Sequence, residues 1–312
     1  IPPLEGEFIE LESLQQQQAP TCTGLPDEPI WCVILKNKDV FTYQEGGKLK
    51  SVNRVDDIIY EFEHPVPSYM GSISQPSWGV LPNGEYRLAF GCDAFPTAWL
   101  ICLWDSTTNM YNYSSGGSYS NKIDIAPNGQ KIAYQQIFGG IRVADITDLN
   151  NPTFYNIAGR LSPNWSNSQI LYTVSNTTPR QFITSDGVTI PDDENLLYPY
   201  FYDVREGQIL YWRYNGASNY QLVYRDAGGN IALFPSIFSS PFPVMWSPHG
   251  AEARFVMMQT QPGLPVCVNL IDMTLGSPQE IVCKTISPFA SWQTGIDLRP
   301  YFFNCLNPDP YK

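Results

Sequence analysis

Two histidines, His64 and His249, are all the imidazole in this chain of 312 residues. A three-histidine metal centre is out of reach, and no Cys/His spacing reads as a zinc site. His64 stands before Pro65 in a connecting stretch and His249 stands in a turn, so structural or exposed roles are expected of both. Nucleophilic chemistry would need a sharply presented serine, and no Gly-x-Ser-x-Gly segment occurs. Carboxylates cluster at Asp56-Asp57 and at Asp192-Asp193-Glu194. Sequence neighbours on a strand point to opposite faces, which makes them poor acid/base partners. The second cluster could offer oxygens to calcium, yet it lacks the ordered spacing of a calcium loop. Gly116-Gly117, Gly139-Gly140 and Gly228-Gly229 do not stand between a strand and a helix, so they read as hairpin turns rather than phosphate cradles. No catalytic set emerges, and no cofactor or metal is expected.

The elements that would position any site are set by a repeat. A turn signal followed by an apolar β-rich triplet recurs along the chain. Pro82-Asn83-Gly84 leads into Leu88-Ala89-Phe90, and Pro127-Asn128-Gly129 into Ile132-Ala133-Tyr134. Pro163-Asn164-Trp165-Ser166-Asn167 leads into Ile170-Leu171-Tyr172, and Glu206-Gly207 into Ile209-Leu210-Tyr211. Trp246-Ser247-Pro248-His249-Gly250 leads into Arg254-Phe255-Val256. A period of roughly 40–45 residues built from short strands is the pattern of propeller blades. The expected fold is all-β: a β-propeller of six blades, with seven as the alternative if Asp56–Tyr69 hides a degenerate blade. A partial copy at Ser291–Gly295, followed by Ile296–Phe303, predicts a ring closed by strands from both ends. Strands are expected at Ile30–Leu35, Val40–Tyr43 and Lys48–Val52. After each triplet a further strand ends in Asp: Asp105, Asp145, Asp186, Asp226 and Asp272. Such acids are expected to form turns by accepting from backbone amides two residues on.

Residues 1–27 differ from the rest. They carry Pro2-Pro3, several Glu and the run Gln15–Gln18, and they read as an extended arm before a propeller over 28–312. Phe8, Ile9 and Leu11 form its apolar segment, suited to adding a strand to a neighbouring subunit or to docking on its own propeller.

Cysteine placement bears on the compartment. Cys92 and Cys102 flank one expected turn, and Cys267 and Cys283 another, so each pair is expected to bridge adjacent strands. Cys22, Cys32 and Cys305 remain, giving one further pair and one odd thiol. Disulfides belong to oxidising compartments, and a start at Ile1 fits a cleaved leader. Glycan-acceptor sequences stand at Asn112-Tyr113-Ser114, Asn164-Trp165-Ser166 and Asn176-Thr177-Thr178, all in expected turns or loops. The formal charge of −12 disfavours nucleic acid or an anionic membrane as partner. No apolar run is long enough to span a bilayer as a helix.

The segment Trp246–Gly250, its triplet and the strand ending at Asp272 resemble the TolB-type, WD-like β-propeller repeat. Pro243 and Trp246 fit that pattern, while His249 replaces its turn Asp. Pro76, Trp78 and Leu88–Phe90 fit with an insertion, and Pro127–Gly129 with Ile132–Tyr134 fits without the Trp. The resemblance covers roughly residues 70–300 and implies the fold more than an activity. Its members include periplasmic interaction proteins, propeller domains attached to peptidases and polysaccharide lyases. The lyases' histidine-rich metal centre has no counterpart residues here. The expected function is a secreted, extracellular, cell-surface or periplasmic, non-catalytic subunit that assembles by protein contacts with copies of itself. The alternative is a carbohydrate- or peptide-binding propeller, with Tyr198–Tyr202 as a stacking surface for glycan, and after it a lyase or hydrolase.

Overall fold

The computed structural model describes residues between 35 and 301, apart from 65, 67–72, 95–97, 109, 115–118, 137–138, 159, 175–181, 185–188, 191–201, 215–218, 227, 230, 239–240, 250–253, 260–265, 273–277 and 285. The expected arm at 1–27 with Phe8, Ile9 and Leu11, the cysteines Cys22, Cys32 and Cys305, the sequon Asn176 and the cluster Asp192–Glu194 lie outside the described residues. So does most of the strand expected at Ile30–Leu35; Leu35 itself is buried without being in a strand.

The first strands are β1 (Asp39–Glu45), β2 (Lys48–Val55) and β3 (Ile58–Glu63). Then come β4 (Ile73–Val80), β5 (Tyr86–Ala94), β6 (Ala98–Asp105) and β7 (Met110–Ser114), followed by β8 (Tyr119–Ile125), β9 (Lys131–Gln136), β10 (Ile141–Asp145) and β11 (Thr153–Ile157). The next group is β12 (Arg160–Ser166), β13 (Gln169–Val174), β14 (Phe182–Thr184) and β15 (Thr189–Ile190). Two groups follow: β16 (Asp203–Arg205), β17 (Gln208–Tyr214), β18 (Tyr220–Arg225), β19 (Ile231–Phe238); and β20 (Val244–Trp246), β21 (Arg254–Gln259), β22 (Val266–Asp272), β23 (Pro278–Lys284). The last strand is β24 (Ile286–Thr294).

Among the described residues these strands make six four-stranded antiparallel sheets. Five are consecutive meanders; the sixth has the order β24-β1-β2-β3 and joins the two ends of the described chain. There Phe41 stands opposite Trp292. The segment around Asp56–Tyr69, read as a candidate extra blade, supplies β3 to this sheet. Asn53 caps the junction: its Nδ2 donates to the carbonyls of Asp39 and Ile296, and its Oδ1 accepts from Leu298 N. The leading strands β24, β4, β8, β12, β16 and β20 contact one another in cyclic order around a central cavity.

The apolar triplets explain why the sheets stack in this ring. Four of them, at 88–90, 132–134, 170–172 and 209–211, lie on a second strand with both faces covered, and the strand period of two sends alternate residues to opposite neighbours. Leu88 and Phe90 pack toward the β24-β1-β2-β3 sheet, while Ala89 packs toward the β8–β11 sheet. Ile132 and Tyr134 face back and Ala133 forward. Ile170 and Tyr172 face back and Leu171 forward. Ile209 and Tyr211 face back and Leu210 forward. Burying both faces of every sheet makes the spaces between sheets the core of the molecule.

The turn motifs sit between first and second strands, where their backbone demands are met. Gly84 and Gly129 have φ of 85° and 67°, in the left-handed region that favours glycine. The second turn also touches its neighbour. A Cβ on Gly79 would lie 2.6 Å from Gly129 Cα, and Val80 N donates to the Pro127 carbonyl at 2.9 Å. Asp105 and Asp145 accept from the amides of Thr107 and Thr147, two residues on. Asp56 and Asp57 form the tight turn between β2 and β3, both at positive φ, and pair with different arginines, Arg299 and Arg54.

Cys92 and Cys102 are joined in a disulfide with Cα atoms 5.9 Å apart. Their relation is diagonal: Cys92 stands opposite Leu100, and Cys102 opposite Phe90. The hairpin is centred one residue earlier than the cysteine midpoint suggests, and diagonal neighbours on one face still come within bridging reach. Cys267 is disulfide-bonded and stands opposite Cys283 in the register.

Candidate functional site: a polar belt on the central cavity

The leading strands face the cavity with one edge free of sheet partners, so the amides on that edge need acceptors from elsewhere. In four sheets the residue before the motif tryptophan, or before its replacement, joins in this: three of these residues accept from such amides, and Asn164 donates to the next in line. These residues are Ser77 before Trp78, Asp124 before Ile125, Asn164 before Trp165 and Asp203 before Val204. Ser77 Oγ accepts from Ile125 N at 3.1 Å and donates to Asp124 Oδ1 at 2.8 Å. Asp124 Oδ2 accepts from Trp165 N at 2.7 Å. Asn164 Nδ2 donates to Asp203 Oδ1 at 3.1 Å, and Asp203 Oδ2 accepts from Trp246 N at 2.7 Å. The result is a belt in which successive inner strands are stitched by side chains.

Lys122 lies between the two carboxylates of this belt. Its Nζ donates to the Tyr202 carbonyl at 2.8 Å and sits 4.2 Å from the centre of the Tyr202 ring. Burial pushes the Asp124 carboxyl up to about 6, against the pull of Lys122 and of its hydrogen bonds. Burial also raises Asp203 and lowers Lys122, with the opposite charges working against both shifts. Gln75, Lys122 and Ser162 occupy the same slot, three residues before Trp78, Ile125 and Trp165. All three have positive φ (51°, 36° and 50°) at a register shift in the leading strand. The bulge increases local twist and re-aims the side chain.

The cavity has a volume of about 380 Å³ and two unlike walls. One carries the belt. The other carries Pro243, Met245, Met258, Phe289 and Ala290. At the rim, Arg205 stacks on the Trp246 ring at 4.5 Å and donates to the carbonyls of Ser247 and His249. Among the described residues no three His, Cys, Asp or Glu side chains gather into a group that could hold a metal ion.

Neither histidine stands on the cavity. His249 Nε2 bonds the buried Asp39 Oδ2 at 2.8 Å, which also accepts from Trp292 Nε1, so the turn histidine locks one sheet to the next. His64 is buried, and its Nε2 lies 2.7 Å from Ser51 Oγ. Ser51 Oγ lies 2.6 Å from Thr42 Oγ1, which accepts from Trp78 Nε1 at 2.7 Å. An indole only donates, so Thr42 Oγ1 accepts from Trp78, and the hydrogen-bonded chain continues through Ser51 to His64 Nε2. A serine–histidine pair thus exists, but Ser51 is fully enclosed and no substrate reaches it.

The surface roles expected of Asn164 and Tyr202 are corrected, and Asn112 stands in a strand. Asn164, read as a glycan acceptor in a loop, is 5% exposed in β12, and its amide donates to Tyr202 O and Asp203 Oδ1. Asn112 lies within β7, opposite Leu103, rather than in a loop. Tyr202, the described end of the Tyr198–Tyr202 stretch, is buried, and its hydroxyl donates to the carbonyls of Ser162 and Leu171. It supports the belt from behind and offers no face for a sugar ring.

Six sheets packed face to face around a cavity define a β-propeller. The chain is similar in structure to TolB from Acinetobacter baumannii, with a TM-score of 0.59 and 12% identity over 84% of this chain and 69% of that one. Weaker likenesses are to the β-propeller domain of Cps50 (Swd1) from Myceliophteria thermophila (TM-score 0.49, 14% identity, 79% and 86% covered) and to an oligogalacturonate lyase in complex with manganese (TM-score 0.42, 12% identity, 80% and 86% covered). At these identities the likeness concerns the fold alone. No protein-family model matches the chain, and no curated protein matches it in sequence. Among the described residues no helix is long and apolar enough to cross a membrane.

Proposed function

We propose that this chain is a secreted or periplasmic propeller of TolB-type repeats that works without catalysis, as an interaction subunit whose arm at 1–27 engages a neighbouring copy. One observation carries the reading: the charged groups of the cavity wall are spent on the frame. Both oxygens of Asp124 and both of Asp203 accept hydrogen bonds from the inner strands. Groups held this way fix geometry, whereas a general acid or base needs an open path to substrate. The Cys92–Cys102 disulfide supports an oxidising compartment.

The test is light scattering and negative-stain microscopy on the full chain beside a chain lacking residues 1–27. Oligomers or filaments that vanish on truncation are expected. A monomer in both samples would refute the assembly role.

A further inference from the structure

The six sheets end outward in β3, β7, β11, β15, β19 and β23. Alternate amides and carbonyls of such a strand point away from its sheet, and folded proteins guard them with charge, proline, a bulge or a very short strand. Four of the six are guarded. β3 carries Glu61 and Glu63, the second paired with Lys48. β15 has two residues. β19 contains Pro235 and a register shift against β18. β23 opens on Pro278 and carries Glu280 and Lys284. β11, Thr153-Phe154-Tyr155-Asn156-Ile157, has no charge and no proline, and its register with β10 is unbroken. β7 is uncharged too. What marks β11 is Tyr155, at 48% exposed the most open large apolar side chain among the described residues. Thr153 and Asn156 beside it are exposed as well.

Resting on the assembly role proposed above, the geometry points to β11 as the edge that receives the arm of a neighbouring copy, with residues 8–12 as the added strand. The lengths agree, at five residues each. The charges are complementary. Every charged side chain of the arm is acidic (Glu5, Glu7, Glu10, Glu12 and Asp27), whereas β9 to β11 carry Lys131, Arg142 and Asp145, a net positive. The faces agree as well. Ile9 and Leu11 fall on one side of the added strand and Glu10 on the other. Set antiparallel with Leu11 opposite Tyr155, Ile9 meets Ile157 and Glu10 falls opposite Asn156, in the row that continues to Arg142. Arg142 lies over the Phe154 ring at 4.6 Å, on that same side. Between Glu12 and Leu35 the chain can span about 75 Å, enough to reach a second molecule.

Light scattering on full-length variants, alone and mixed, tests it. Tyr155→Glu places a charge on the edge and should lower the assembled mass to that of the monomer, with the melting temperature kept within about 2 °C. Thr153→Glu, on the same exposed side, should repeat the loss and stands in if Tyr155→Glu proves less stable. Ile58→Glu, at the other exposed apolar site, should leave the assemblies as they are. Ile9→Glu with Leu11→Glu disables the arm and should also give a monomer. In an equal mixture, the Tyr155→Glu chain still has an arm and the arm variant still has an edge, so pairs of about twice the monomer mass should form and grow no further. Wild-type mass for both edge variants, beside a monomeric arm variant, would overturn β11 as the acceptor and leave the arm's role standing. Oligomers lost by Tyr155→Glu but kept by the arm variant would overturn it too, since β11 would then pair with the β11 of a second copy. So would a mixture that stays monomeric. A wild type that is monomeric with and without residues 1–27 would refute the assembly role itself, and this inference with it.

Discussion

Ser77 and Trp78 are neighbours in β4, yet they open onto two polar networks of opposite kind. Trp78 leads into the space between sheets, through Thr42 and Ser51 to His64. Ser77 leads onto the cavity wall, to Asp124 and the belt. The first network is neutral and fully enclosed, and burial pushes the His64 imidazole down to about 3. The second is charged and keeps part of its surface on the cavity, and burial pushes Asp124 up to about 6. Burial disfavours the charged form in both, so the imidazole is driven to lose its proton and the carboxyl to keep one. The same physical cause therefore gives opposite responses to acid.

The largest expected effect follows from that sign. An unfolded His64 takes a proton near 6.5, and the folded one refuses it until about 3. Its contribution to stability is complete above 6.5 and is lost as pH falls, on the order of 4 kcal/mol by the lower limit. Asp124 runs the other way: its contribution is present below 3.8 and is lost as pH rises through about 6. Urea unfolding of His64→Gln across this range should show an acid loss smaller than that of the native chain by about this amount. Parallel acid profiles would break the comparison.

Next in size is Lys122→Met, which leaves Asp124 and Asp203 without the cation between them. A loss of about 3 kcal/mol is expected at neutral pH, much of it recovered near pH 4.5 where Asp124 is protonated. Denaturant midpoints at the two pH values measure it, and a loss independent of pH would show that packing, not charge, holds Lys122. Gly79→Ala comes third, at roughly 2 kcal/mol, because its Cβ has no room against the next sheet's turn. Thermal unfolding should register it as a lower melting temperature, and an unchanged value would mean that β4 can shift. Ser51→Ala is the smallest, about 1 kcal/mol, since it interrupts a neutral hydrogen-bond chain. Exchange protection of the Trp78 indole hydrogen should fall with it, while that of the Trp165 amide stays as it was.

The fold was legible because its signals are local. A Pro-Asn-Gly turn needs only its own backbone, and a triplet such as Ile132-Ala133-Tyr134 announces a strand buried on both faces. The cavity belt was harder to read because one slot holds different residues in different sheets. Ser77, Asp124, Asn164 and Asp203 share the position before the motif tryptophan or its replacement, and only alignment of the repeats on their turns and triplets brings them together. Charge gave no help, since Lys122 and Asp124 look like an ordinary solvated pair in sequence. Asn164 was misread for the same reason: Asn-Trp-Ser satisfies a local pattern, whereas its burial depends on Asp203, which arrives a whole repeat later. Burial of His64 likewise depends on Ser51 and Trp104, on strands that its own neighbours do not reveal.

The pairing of β1 with β24 has a consequence for how the molecule is made. Val40 to Tyr43 leave the ribosome five sheets ahead of β24, with Phe41 destined to lie opposite Trp292. Until the last strand is synthesised, β1 carries an open edge and an uncovered apolar face, while the five intervening sheets emerge and fold behind it. The interval in which two nascent chains can pair by mistake therefore lasts for the synthesis of all five intervening sheets.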